Sequence, residues 1–264
     1  MKVYIGNPRV DLWIAARKGD AVKLIELLEL QVGVNSTDER GLTPLIYAVR
    51  AGRIDAVKVL LSKGAIIDAR TPSGSTALIE AAYFSELNII RLLLDYGADI
   101  SLTDNRGTSA LSWAVARANT NAIPTLLAKG SNPNARMENG QPVIMYAVEY
   151  NRIEIFTALL DKGADVNLRD EDGKTALMLF SNNKTITLSL LNKGAEINAV
   201  DESGWTPLMY AVDHYYYEKA RLLIERGANV NARNAKGETP LSIALKYANN
   251  KDLIRLLRRS GAKE

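Results

Sequence analysis

The sequence predicts an all-α fold, a solenoid of stacked helix-turn-helix units joined by short β-hairpin-like loops. Two recurrences carry the prediction. A glycine-led segment appears as "GLTPLIYAV" (41–49), "GSTALIEAA" (74–82), "GTSALSWAV" (107–115), "GQPVIMYAV" (140–148), "GKTALMLFS" (173–181), "GWTPLMYAV" (204–212) and "GETPLSIAL" (237–245), its glycines 33, 33, 33, 33, 31 and 33 residues apart. A second block keeps step with it, from "LLSKGAIIDAR" (60–70) through "LLDKGADVNLR" (159–169) to "LIERGANVNAR" (223–233). A third observation is physical: one unit of this length cannot bury its own apolar stripe, so neighbours must stack on it.

Taken in order, residues 1–37 form a degenerate N-terminal capping unit, with "LWIAARKGD" and "LIELLEL" in the two helical slots. Six central repeats follow over 38–233, and a C-terminal capping repeat over 234–264 ends the single expected domain, 1–264. Within a repeat, Thr43-Pro44 sets a hydroxyl before a helix and proline in its first turn, where the missing N–H costs nothing. Leu45, Ala48 and Val49 make the apolar stripe of that first helix, and Ile54, Val57, Leu60 and Leu61 that of the second. Gly64 ends the second helix where a left-handed residue is required. The polar segment beyond it suits an extended, hairpin-like connection. Small residues at the ends of the first helices (Ala48, Ala81, Ala82, Ala114, Ala147, Ala211) allow close approach of neighbours.

Irregular positions carry their own expectations. The repeat from Gly173 is two residues short, and a deletion between its helices is expected to make room for Phe180. Pro124 falls early in a second helix, with Thr120 as its cap, at the cost of about one backbone hydrogen bond. In "AVDHYYYEKA" (211–220), Tyr215 takes the slot of Gly19 and Gly52. Tyr217 aligns with Ile54 and Leu87 and is expected to pack, which leaves Tyr216 as the tyrosine available to a partner.

Over nearly its whole length the chain resembles the ankyrin repeat family. The family pattern G-x-T-P-L-x-x-A-A…L-L-x-x-G-A-D-V-N is matched by Gly41/Thr43/Pro44/Leu45, by Gly204/Thr206/Pro207/Leu208 and by "GADVN" at 163–167. One departure is consistent. The histidine that usually follows T-P-L is replaced by Ile46, Ile79, Ser112, Met145, Met178, Met209 or Ser242, so apolar packing is expected to compensate in most units.

Enzymatic readings fail. The single histidine, His214, follows Asp213, but neighbours on a helix do not face one another and no serine elbow accompanies them. "DGKT" (172–175) lacks the upstream glycine of a phosphate-binding loop, and "DEDG" (170–173) lacks the first and last ligands of a calcium loop. With no cysteine and one histidine in the chain, no metal or cofactor site is expected. A net charge of +3 is too small to indicate a nucleic-acid partner. No stretch approaches the roughly 20 apolar residues of a membrane span. The N-terminus has no secretory-leader pattern, so a cytoplasmic protein, monomeric when free, is expected.

The resemblance implies a binding scaffold whose concave face is lined by loop tips and by the side chains just after each alanine pair. Large residues in those slots are the candidates for contact with another protein: Arg50, Tyr83, Phe84, Arg117, Glu149, Tyr150, Asp213, His214, Lys246 and Tyr247, with Trp205 beside its turn glycine and Tyr216. Tyrosine, tryptophan and arginine dominate interface hot spots. Tyr47, Trp113, Tyr146 and Tyr210 lie inside the first helices and read as packing. In the loops, Arg70, Arg136, Arg169 and Arg233 share one slot, and Asp38, Asp104, Asp170 and Asp201 share the next. Charge pairing between neighbouring loops is favoured there over a guanidinium row for an acidic partner. The reading is a non-enzymatic protein-interaction scaffold, with an inhibitor or immunity-type protein that occludes an enzyme's active site as the alternative.

Overall fold

A computed structural model describes residues 7–246 and 250–263. Fifteen α-helices and one 3-10 turn, with no sheet, are found among them, as expected for an all-α repeat solenoid. The chain divides into two compact units, Met1–Glu138 and Asn139–Glu264.

The first unit holds α1 (Pro8–Lys18), α2 (Ala21–Glu29), α3 (Pro44–Arg50), α4 (Ile54–Ser62), α5 (Ala77–Tyr83), α6 (Leu87–Asp95), α7 (Ala110–Ala116) and α8 (Ala122–Ala128). Its first helices stack as α1, α3, α5 and α7, and its second helices as α2, α4, α6 and α8. The stripes read from the sequence are the core: Leu45, Ala48, Val49, Leu78, Ala81, Ala82, Leu111 and Ala114 are buried, with Leu60, Ile90 and Leu126 behind them. Thr43, Thr76 and Ser109 cap their helices by accepting from the backbone N–H groups of Ile46, Ile79 and Ser112. Pro124 is cheaper than expected. Asn119, not Thr120, accepts from Ala122 N at 3.1 Å, and α8 begins at Ala122, so the proline sits in a first turn whose N–H groups lack helical partners anyway.

The second unit holds α9 (Val143–Glu149), α10 (Ile153–Asp161), a 3-10 turn (Ala176–Met178), α11 (Lys184–Asn192), α12 (Pro207–Asp213), α13 (Tyr217–Glu225), α14 (Pro240–Leu245) and α15 (Lys251–Arg259). The short repeat loses most of its first helix. At Leu179 the backbone turns extended, with φ −66° and ψ 160°. Side chains then alternate: Leu179 and Ser181 point inward and are buried, while Phe180 between them is 53% exposed. The deletion therefore expels Phe180 instead of making room for it.

The lost turn leaves the Leu179 carbonyl, which accepts from Ser181 N at 2.7 Å, open to a second donor. Lys219 on α13 occupies the core column held elsewhere by Ala56, Ile89, Ala122 and Ile155; it is buried, and its Nζ donates to Leu179 O at 2.8 Å. Burial pulls its pKa from 10.5 down to about 7. Tyr217, expected to pack, is 38% exposed at the start of α13, as Ile153 is (41%) at the start of α10. Tyr215 holds a left-handed backbone, φ 59°, in the slot Gly19 and Gly52 fill at φ 80° and 67°.

The loops are held by their own side chains. Asp38 Oδ1 accepts from the N–H groups of Arg40 and Leu42, Asp104 from those of Arg106 and Thr108, and Asp201 from those of Ser203 and Trp205. Among the described residues charge pairs do join neighbouring loops, Arg106 to Glu138 at 2.8 Å and Arg169 to Glu196 at 3.6 Å, through carboxylates other than those in the Asp38 slot. Arg70 Nη1 donates to Gly74 O at 2.9 Å and Thr103 O at 2.8 Å, and Arg169 Nη1 to Gly173 O at 2.7 Å and Val200 O at 2.5 Å. Asparagines join consecutive loops: Asn35, Asn167 and Asn231 each donate to a glycine carbonyl of the next repeat and accept from the N–H two residues beyond it.

Two turn glycines offer an internal control on loop packing. Both are left-handed, Gly74 at φ 78° and Gly97 at φ 87°. A Cβ on Gly74 would lie 2.8 Å from the backbone N of Asn105, whereas a Cβ on Gly97 meets nothing. Gly97→Ala should cost about 1 kcal/mol from backbone strain alone. Gly74→Ala should cost about 3 kcal/mol because the next loop must also move. Urea unfolding of the two variants measures the difference.

Candidate functional site

Most of the residues proposed to meet a partner sit at the C-terminal ends of the first helices, which stop two residues after a buried alanine (Ala48, Ala81, Ala147, Ala211); Trp205 and Tyr216 instead precede α12 and α13. In the first unit α5 ends at Tyr83, and Phe84 caps it; they are 36% and 43% exposed. Their rings meet edge to face, with centroids 5.0 Å apart. Trp113 of α7 closes on Tyr83 at 4.9 Å, and the Arg117 guanidinium lies 5.1 Å from the Tyr83 ring centroid. Trp113, which reads as packing in the sequence, is thus half in the core and half in this cluster. Its Nε1 donates to Asp104 Oδ2 at 3.1 Å, which fixes the indole.

A cavity of about 310 Å³ opens beside the cluster, floored by Ile79 and walled by Arg50, Glu80, Tyr83, Phe84 and Trp113. Arg50 is not a loose groove residue. Its Nε and Nη2 donate to the two Glu80 oxygens at 2.9 and 2.8 Å, tying α3 to α5, and the Glu80 side chain is only 8% exposed. The structure places Arg50, Tyr83, Phe84 and Arg117 around one site.

In the second unit the candidates fall into smaller groups. Tyr150 lies 4.4 Å from Tyr146, with Arg152 over both rings, and Glu149 accepts from Gln141 Nε2. His214 lies tilted against Phe180, with ring centroids 4.2 Å apart, and has Tyr216 at 5.9 Å and Tyr210 at 6.4 Å. Trp205, half-buried, leans on Tyr210 at 5.1 Å. Lys246 pairs with Glu238. Tyr247 lies outside the described residues.

The His214–Asp213 pair approaches to 3.8 Å, beyond hydrogen-bond reach. His214 Nδ1 instead faces Tyr210 O at 3.0 Å, so it carries the proton and donates to that carbonyl. Tyr210 in turn donates to Asp201 Oδ2 at 2.6 Å, and burial followed by that hydrogen bond raises its phenol pKa above the ordinary value. This ordering makes a rigid ring platform.

Phe180 and Trp113 join these ring clusters but were not among the candidates read from the sequence. A signal for Phe180 was present: a two-residue deletion ends the helical period, and alternation then carries the next large side chain outward. No helix among the described residues is long and apolar enough to cross a membrane.

Comparison with known proteins gives a consistent picture. The family described as ankyrin repeats (3 copies) matches residues 12–104, 97–170 and 144–234, and that described as ankyrin repeats (many copies) matches 214–258. The chain is 48% identical over 52 residues to the 2-5A-dependent ribonuclease of Mus musculus, covering 19% of this chain and 7% of that protein. It is 46% identical over 61 residues to a transient receptor potential cation channel subfamily A member 1 homolog of Caenorhabditis elegans, covering 23% and 5%. It is also 40% identical over 60 residues to an ankyrin repeat-containing protein of Schizosaccharomyces pombe, covering 23% and 29%. The chain thus spans less than a third of each of these relatives.

Proposed function

The chain belongs to the ankyrin repeat family, whose repeats generally mediate protein–protein interaction, and from that premise we propose that it is a non-enzymatic scaffold that binds a protein partner through the face its first helices and loop tips present. The observation that carries the reading is the Tyr83–Phe84–Trp113–Arg117 cluster around an open cavity. Exposed aromatics with an arginine stacked on them, beside a pocket, are the usual make-up of an interface hot spot. Within the second unit, the His214–Phe180 and Tyr146–Tyr150 groups are candidates of the same kind. Glu149, Asp213 and Lys246 add polar specificity. The scaffold reading extends over 1–264 and takes the free chain to be a cytoplasmic monomer.

The test is affinity capture from the source cell with the wild-type chain, a Tyr83→Ala/Phe84→Ala variant, and Lys58→Ala on an outer helix as control. The double variant should bind the captured protein at least about tenfold more weakly, with the control unchanged. Equal capture by all three would refute the reading. If the captured protein is an enzyme, assaying it with and without the chain separates an occluding inhibitor from a tether.

A further inference from the structure

We infer that a cavity beside Thr103 in the first unit is a guanidinium-binding site, and that it receives an arginine side chain of the protein partner. The inference rests on the protein-binding reading for the source of the arginine, and on the loop arginines for the chemistry of the site.

Those arginines show what the slot is built to hold. Arg70 bridges Gly74 O in its own turn and Thr103 O in the next repeat. Arg169 bridges Gly173 O and Val200 O in the same way, and Arg233 donates to Gly237 O at 2.8 Å. At position 103 the backbone is unchanged: the antiparallel bridge Thr103–Ser109 is the counterpart of Arg169–Thr175. The acceptors equivalent to those of Arg70 and Arg169 are therefore Gly107 O and Arg136 O. Threonine is too short to reach them, and a cavity of about 480 Å³ stands there, lined by Thr103, Gly107, Ser109, Ser131 and Arg136 among others.

A second observation points to a ligand. Six other copies have alanine at the position of Ser131 (Ala65, Ala98, Ala164, Ala195, Ala228 and Ala262). Ser131 is among the residues that line the cavity, and its Oγ is buried without a hydrogen-bond partner. A buried polar atom without a partner is costly, so a guest that satisfies it gains affinity. Ser101, also in the lining, gives its proton to Asp99 Oδ1 at 2.6 Å, which leaves its oxygen as an acceptor. Arg136 O accepts from Ser112 Oγ and has a second lone pair to offer. The lining therefore presents acceptors in several directions. A planar guanidinium with five fixed donors matches that arrangement, and a compact ammonium does not. Arg136 in the wall is no bar, since the chain already sets arginines in this slot in consecutive copies at 136 and 169.

The probe is N-ethylguanidinium, titrated into the full chain and followed by backbone amide NMR, with N-ethylurea as the uncharged isostere. Saturable shifts at Thr103, Gly107 and Ser131, with a Kd on the order of millimolar, are expected from the guanidinium alone. Thr103→Arg supplies the group in cis and should weaken probe binding by at least about tenfold while raising the thermal midpoint by a few degrees. Ser131→Ala, the residue of the other copies, should weaken it about threefold with the fold intact. If Thr103→Arg does not fold, Ser131→Val serves as the blocking variant. The inference is overturned by equal shifts with N-ethylurea, by no saturable response, or by a response the folded blocking variant leaves unchanged. Because the titration needs no partner, it can fail while capture through Tyr83 and Phe84 succeeds, and the reverse.

Discussion

Lys219→Met should stabilise the folded chain at pH 6.5 by about 2 kcal/mol and lose that advantage by pH 10.5. Lys219 is buried with a folded-state pKa of about 7 against an ordinary 10.5, the shift coming from desolvation. Between those values the unfolded chain binds a proton that the folded chain does not, so rising pH favours folding. The penalty is full below pH 7 and gone above about 10.5, with a ceiling on the order of 5 kcal/mol. Methionine fills similar space without charge but gives up the donor to Leu179 O, which offsets part of the gain. Urea unfolding of both proteins at the two pH values isolates this lysine from every other titrating group. Equal differences in stability at both would show that Lys219 is not the group responsible.

Arg50→Met should cost about 2 kcal/mol in the first unit, because it strands the Glu80 carboxylate in a buried position between α3 and α5. Adding Glu80→Leu should recover most of that loss, as replacing both partners of such a pair by apolar groups usually does. The double-mutant cycle also separates two roles. If Arg50 serves chiefly to join repeats, the double variant folds normally and still binds a partner through Tyr83 and Phe84. A partner affinity that falls in the double variant while stability is restored would make Arg50 a contact residue.

Much of this was legible in the residue pattern. Glycine spacing sets the repeat register, and the buried alanine in each first helix locates the turn where side chains leave the core; Tyr83, Phe84 and Tyr150 follow from that alone. The readings that failed did so for physical reasons. The loop arginines bond to backbone carbonyls, which a sequence does not display, so carboxylates one position away looked like their partners. Phe180 was placed by column alignment, which assumes that a helix continues, and the lost turn near Leu179 breaks that assumption; the column of Tyr217 is open elsewhere too, Ile153 being 41% exposed. Lys219 itself stands in an apolar column. A cation there implies an uncovered acceptor nearby, and the shortened repeat indicates where one arises.

The asparagine joints between loops also tie loop geometry to the chemical integrity of single side chains. Each uses both halves of its amide, as Asn167 does with Gly194 O at 3.0 Å and Glu196 N at 2.8 Å. Asp68, in the same column, keeps only the accepting half, toward Asp99 N. Spontaneous deamidation of Asn167 would reproduce that one-sided joint and set a new negative charge against the Gly194 carbonyl oxygen. Ageing of the folded protein would thus loosen its loops one rung at a time, with the helical core unchanged.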